Sequence, residues 1–101
     1  MADTPEKKTK KRVVEVLKSH GAYYFYPVTG GYGASGVPDI VACVRGKFFG
    51  IEVKADMNKR GATALQMKNL NQIDASGGAA LVIDDNNIDR LKEILENSDG
   101  F

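Results

Sequence analysis

Cys43 is the chain's one cysteine, so neither an intramolecular disulfide nor a cysteine-based zinc site can form. A reducing, intracellular (cytoplasmic) setting is the default expectation. Long apolar runs are missing as well. Stretches such as Ile40-Val41-Ala42-Cys43-Val44 fall far short of the roughly 20 residues a membrane-spanning helix needs, so no membrane partner is expected. Met1 to Lys8 has no apolar h-region, and no secretory leader is expected there. Internal repeats, linkers and low-complexity segments are absent. The 101 residues suffice for one domain, residues 1–101, around a single modest core. With 43% hydrophobic and 27% charged residues, whole-chain disorder is excluded.

The net charge is only +1, which by itself says nothing about a polyanion. Its distribution says more. Lys7, Lys8, Lys10, Lys11 and Arg12 form a basic block, and Lys54, Lys59, Arg60 and Lys68 a looser one. Acidic residues gather from Asp84 onward. Such asymmetry permits a polyanion on one side, and solvated helix faces would show the same pattern.

Thr4-Pro5-Glu6 predicts a helix start, with Thr4 as N-cap and Pro5 at the first helical position. The helix runs to about Ser19 and stops at His20-Gly21, where His20 reads as a C-cap residue. Its inward stripe is Val13, Val16, Leu17 and the methylenes of Lys10. Glu6 falls on that stripe, and Glu15 lies opposite. Ala22 to Tyr26 predicts a strand closed by Pro27, its aromatics read as packing rather than as a base-stacking platform. Ile40 to Val44 and Lys47 to Lys54 predict two more, joined at Arg45-Gly46. Thr63-Ala64-Leu65-Gln66 is a capping box opening a helix to about Ala75. Ala79 to Ile83 predicts a buried strand, and Asn86 or Asn87 caps a last helix from Ile88 to about Asn97. The order α-β-β-β-α-β-α predicts an α/β fold with a mixed sheet flanked by helices, its last two strands parallel. Cys43 reads as a small core residue.

Chemistry concentrates in Pro38-Asp39 and Glu52-Val53-Lys54. Across a tight hairpin, facing residues have numbers that sum to a constant. If Arg45-Gly46 is the loop, Val44 faces Lys47, and the same constant sets Asp39 opposite Glu52. A symmetric four-residue loop preserves that register, and Arg-Gly is not a preferred primed turn. Lys54 then shares their face. Facing like charges destabilise unless compensated. Two carboxylates and a backbone carbonyl suit a hard cation, Mg²⁺ above all. Lys54 would orient an attacking water or neutralise charge on phosphorus. Each motif alone also fits a turn aspartate or a solvated strand. The shared register, and apolar neighbours implying a hairpin buried on both faces, favour a site.

Gly36-Val37-Pro38-Asp39 followed by Glu52-Val53-Lys54 resembles the PD-(D/E)XK nuclease superfamily. Ser35-Gly36-Val37-Pro38-Asp39 with Thr63-Ala64-Leu65-Gln66 downstream resembles, more narrowly, the virus-type replication-repair nuclease (VRR-Nuc) group in its minimal, phage-encoded form. The resemblance spans nearly the whole chain. It implies a restriction-endonuclease-like core and a metal-dependent endodeoxyribonuclease of DNA repair and recombination. Mg²⁺ would be the cofactor, with Mn²⁺ able to substitute. It implies Asp39, Glu52 and the Val53 carbonyl as metal ligands, Glu6 as the first-helix ligand, and Lys54 as the catalytic lysine. Gln66 would line the site, although the capping box alone accounts for it equally well. The implied substrate is branched DNA, a Holliday junction cut by a homodimer. A monomeric nicking or flap-directed repair nuclease, and a DNA-binding module without catalysis, are the alternatives.

The stretch Thr29 to Gly36 lacks the Gly-Lys-Ser/Thr ending of a P-loop. It fits a flexible lip better, with Tyr32 and Ser35 reaching the DNA backbone. Lys8, Lys11 and Arg12, beside Lys7, and Lys59 and Arg60 mid-chain, are the expected phosphate contacts.

Overall fold

The computed structural model describes residues 3–28 and 36–97. Local capping sets the first element. The Thr4 hydroxyl accepts the Lys7 N–H at 3.2 Å, Pro5 occupies the first turn, and helix α1 runs Pro5–Ser19. His20 is the C-cap, its ring Nδ1 2.9 Å from the Val16 carbonyl. The stripe that α1 buries is wider than periodicity suggested, since Thr9 and Val14 join Val13, Val16 and Leu17. Thr9 tolerates full burial because its hydroxyl lies 3.0 Å from Asp85 and 3.1 Å from the Pro5 carbonyl.

Strands β1 (Tyr23–Phe25), β2 (Ile40–Val44) and β3 (Lys47–Val53) follow, then α2 (Ala64–Ala75), β4 (Ala79–Ile83) and α3 (Ile88–Glu96). The sheet order is β1-β2-β3-β4. Its first two pairings are antiparallel and the last is parallel. This is the expected mixed sheet in the expected order.

The β2–β3 connection is the two-residue loop Arg45-Gly46. Both residues have positive φ, 47° and 83°, as the primed hairpin turn demands. Arginine is a poor choice for that conformation. Its guanidinium compensates by donating to the Leu95 carbonyl at 2.6 Å, satisfying an acceptor in the last turn of α3.

Alternation along β3 separates the two layers. Phe49, Ile51 and Val53 enter a core shared with Val13, Val16 and Leu17 of α1 and Leu91 and Leu95 of α3. Gly50 faces α2 instead, where a Cβ would collide with Ile73 and press on Pro38. Because α2 packs on β3 and β4, the hairpin is not buried on both faces along its length. Cys43 is exposed rather than a core residue, and Phe48 is half exposed. The aromatic strand is also less buried than a packing role requires: it lies at the sheet edge with Tyr23 73% exposed and Tyr24 turned toward the core. At the other edge, β4 buries only Leu81 and Ile83 fully. Asn87 takes the N-cap position of α3 without a side-chain cap bond. Its side chain turns back to the Asp84 N–H and the Val82 carbonyl.

Candidate active site

The chain approaches the site through Gly36, whose φ is +76°. A Cβ there would stand 2.8–2.9 Å from Leu65, backbone included, so only glycine lets this segment pass under the start of α2. Pro38 is then buried against Gly50, and Asp39 emerges one residue before β2.

The β2–β3 ladder ends at Ile40 opposite Ile51. Beyond it Glu52 and Val53 pair only with Val82 and Ile83 of β4. The Asp39 side chain occupies the opened gap, its Oδ2 accepting the Val53 N–H at 2.9 Å. The next N–H, of Lys54, points to the other side and bonds Ile83 O at 2.9 Å. In an extended strand the N–H and C=O of one residue share a direction, so the Val53 carbonyl opens toward the Asp39 gap.

Glu52 is only 3% exposed, and its Oε2 is buried with no hydrogen-bond partner. Burial, then a hydrogen bond with Asp39 and the Asp39 charge, push its carboxyl up to about 8. Lys54 opposes the shift and Glu6 adds to it. The Glu52 carboxyl thus keeps its proton into the neutral range. A second buried acid shows what satisfaction looks like. Asp84, 3% exposed, accepts the Met57 N–H at 2.8 Å and the Asn86 N–H at 2.9 Å. These backbone donors, Met57 first, hold its carboxyl below the usual range. Asp84 therefore ties the Asp56–Gly61 loop to the end of β4, and its role is structural.

Lys54 is 8% exposed. Together with Glu6, Asp56, Lys59 and Arg60 it lines a cavity of about 260 Å³. Glu6 is on the site's side of α1, whereas Glu15 lies in a separate groove with Arg12, Ser19 and Lys92. Even so, among the described residues no three His, Cys, Asp or Glu side chains converge into one metal-holding group. Asp39 and Glu52 come together, and Glu6 stands apart from them. Gln66 forms the capping box in full, its Oε1 accepting the Thr63 N–H at 2.8 Å while Thr63 accepts the Gln66 N–H at 3.2 Å. Tyr32 and Ser35 lie outside the described residues.

The basic residues divide. Lys11 pairs with Asp3 and lines a cavity of about 480 Å³ with Lys7, Lys10, Tyr26, Pro27 and Asp39. Arg12 faces away and pairs with Asp85 at 3.3 Å; Lys8 is exposed and lines neither cavity. Sequence reasoning missed Lys10, whose ammonium lies 3.9 Å from Asp39 Oδ1. The signal is in the sequence: Lys10 follows Glu6 by four positions, on the same stripe as Val13, so its ammonium reaches past buried methylenes toward the site.

No family model and no curated protein matches the chain. A solved structure described as a VRR_NUC domain shares its fold. The two superpose with a TM-score of 0.76 over 94% of this chain and 98% of the other, at 22% sequence identity.

Proposed function

We propose that this chain is a divalent-metal-dependent endonuclease that hydrolyses phosphodiester bonds in DNA, with Asp39, Glu52 and the Val53 carbonyl holding the metal. The buried, unpartnered Glu52 Oε2 beside Asp39 carries the reading. Leaving such an oxygen unsatisfied costs about 1–3 kcal/mol, and more once it is charged. A cation between the carboxylates removes that cost. The donors are all oxygen, and Mg²⁺ takes one or two carboxylates and keeps its other positions for water and substrate phosphate. Mn²⁺ accepts the same donors. Glu6 is the further acidic donor proposed, from across the Lys54 cavity.

Bound there, the ion would polarise a phosphoryl oxygen and acidify a water. The rest falls to the chain itself. The Val53 N–H fixes the Asp39 carboxylate, leaving Oδ1 turned toward Lys10. Lys54, beside Glu52, orients the attacking water or neutralises charge gathering on phosphorus. Gln66 lines the site while capping α2, and Lys59 and Arg60 take phosphates near Lys54. The likeness to a VRR_NUC domain, a virus-type replication-repair nuclease fold, supports DNA as the substrate. The proposal extends to branched DNA: a four-way junction cut symmetrically in two strands needs two sites, which a twofold homodimer supplies.

Cleavage of junction, flap and duplex DNA side by side, with and without Mg²⁺, tests this. Asp39→Asn, Glu52→Gln and Lys54→Ala should lose cleavage and keep the fold. Unpaired single nicks from a monomer would remove the junction reading. Absence of both Mg²⁺ binding and cleavage would leave only a DNA-binding module.

A further inference from the structure

The cavity of about 480 Å³ beside Asp39 is not used by the chemistry above. One wall is basic. Lys7, Lys10 and Lys11 sit at spacings of three and four on one face of α1. Tyr26, Pro27, Val37 and Pro38 complete its lining, so the cavity joins ammonium groups to an aromatic ring and stiff prolines. Tyr26 is 49% exposed, and Tyr24 holds it edge-on at 6.1 Å and 75°. The Tyr24 ring is in turn packed against the core. A half-exposed ring braced this way has little freedom to turn and leaves half its surface to a ligand. The cavity ends on the carboxylate whose other oxygen is tied to Val53.

Lysines sharing a cavity with a braced ring suit a nucleotide whose base has left its stack. The phosphate meets the ammonium groups and the base meets the ring. The volume lies within the roughly 300–1,000 Å³ of small-ligand sites and is too small for a duplex. A paired strand could follow the lysines, but its stacked bases offer no free face to Tyr26. Lys11 now pairs with Asp3 at the surface, an exchange that costs little when a phosphate competes.

We infer that this groove binds an unpaired nucleotide of the DNA strand next to the scissile phosphate, with its phosphate on Lys7 and Lys11 and its base on Tyr26. This rests on the nuclease reading and narrows it: the preferred substrate carries unpaired nucleotides beside the cut, as flaps and opened junctions do, and continuous duplex is the poor one.

The test is fluorescence anisotropy in EDTA, with a labelled single-stranded oligonucleotide and its duplex, on the full chain. Loss of one stacked base is worth about 1–3 kcal/mol, so Tyr26→Ala should bind the single strand about 5- to 150-fold more weakly. Its duplex binding should stay unchanged. Tyr26→Phe keeps the ring and should bind like the parent, which separates lost stacking from lost fold. Lys7→Gln with Lys11→Gln should weaken binding to both DNAs and flatten the single-strand salt slope by about 0.7 per lysine. Equal single-strand binding by Tyr26→Ala and the parent overturns the inference, as does an equal loss on both DNAs. Cleavage measured in parallel separates the two claims. A parent that cuts DNA while Tyr26→Ala binds normally overturns the groove alone. A parent that cuts nothing with Mg²⁺, yet loses single-strand binding in Tyr26→Ala, overturns the hydrolase and upholds the groove.

Discussion

Glu52→Gln reads the proposed metal site through stability rather than activity. In the metal-free protein the Glu52 carboxyl is raised from 4.5 to about 8, first by burial, then by its bond to Asp39 and that residue's charge. Lys54 pulls the other way, and Glu6 pushes further up. Between those two values the folded state keeps a proton that the unfolded chain has released. A native state that binds more protons loses stability as pH rises. For a single proton the slope is at most about 1.4 kcal/mol per pH unit. A domain of this size shifts its melting midpoint by about 4–8 °C per kcal/mol. The parent should therefore lose several degrees per pH unit approaching pH 8 and level off above it. Glutamine has the same shape and no proton to lose, so that component of the slope vanishes. Glu52→Gln should be the more stable protein at pH 8 without metal. Excess Mg²⁺ narrows that difference, because it binds the ionised pair. At a hundredfold excess over Kd it stabilises the parent by about 2.7 kcal/mol, and the variant by far less. Thermal unfolding followed by circular dichroism from pH 5 to above pH 8, in EDTA and in Mg²⁺, measures this. Identical slopes in parent and variant, or equal stabilisation of both by Mg²⁺, would refute the reasoning.

Lys54→Ala should lower the cleavage rate by about 10²–10³ in single-turnover kinetics if its ammonium stabilises developing charge, with the folded circular-dichroism spectrum retained. Gln66→Ala separates two roles: loss of capping costs about 1 kcal/mol, and a further loss of cleavage beyond that of Thr63→Ala, which breaks the same capping box, shows contact with the site. Asp84→Asn should destabilise at neutral pH, where the carboxylate accepts its backbone donors. Because the folded-state carboxyl is depressed, that difference should shrink as pH falls through the acid range, read from paired melting curves. Gly36→Ala should cost more than 1 kcal/mol in chemical denaturation, since the new methyl meets Leu65 backbone at about 2.9 Å and φ is positive.

Helix ends were legible in the sequence because capping is local. Thr4-Pro5 and Thr63 to Gln66 state their own boundaries within four residues. The hairpin register was legible for a similar reason: two loop residues set every pairing behind them. That register places Asp39 against Glu52, and the 3.6-residue period of α1 separately sets Glu6 rather than Glu15 on the site's side of the helix. Burial was not legible. Alternation says which residues share a face, but not how far a helix extends over it, so Cys43 reads as core and is exposed. Nor was the closeness of Lys10 to Asp39, which depends on where α1 crosses the sheet edge. Residue order along the chain thus determined the elements, the register and the acidic pair. Only the packing of α1 and α2 around the strand ends decided how dry Glu52 is and which lysines and ring border the carboxylates, because desolvation and through-space contact are properties of the assembled layers.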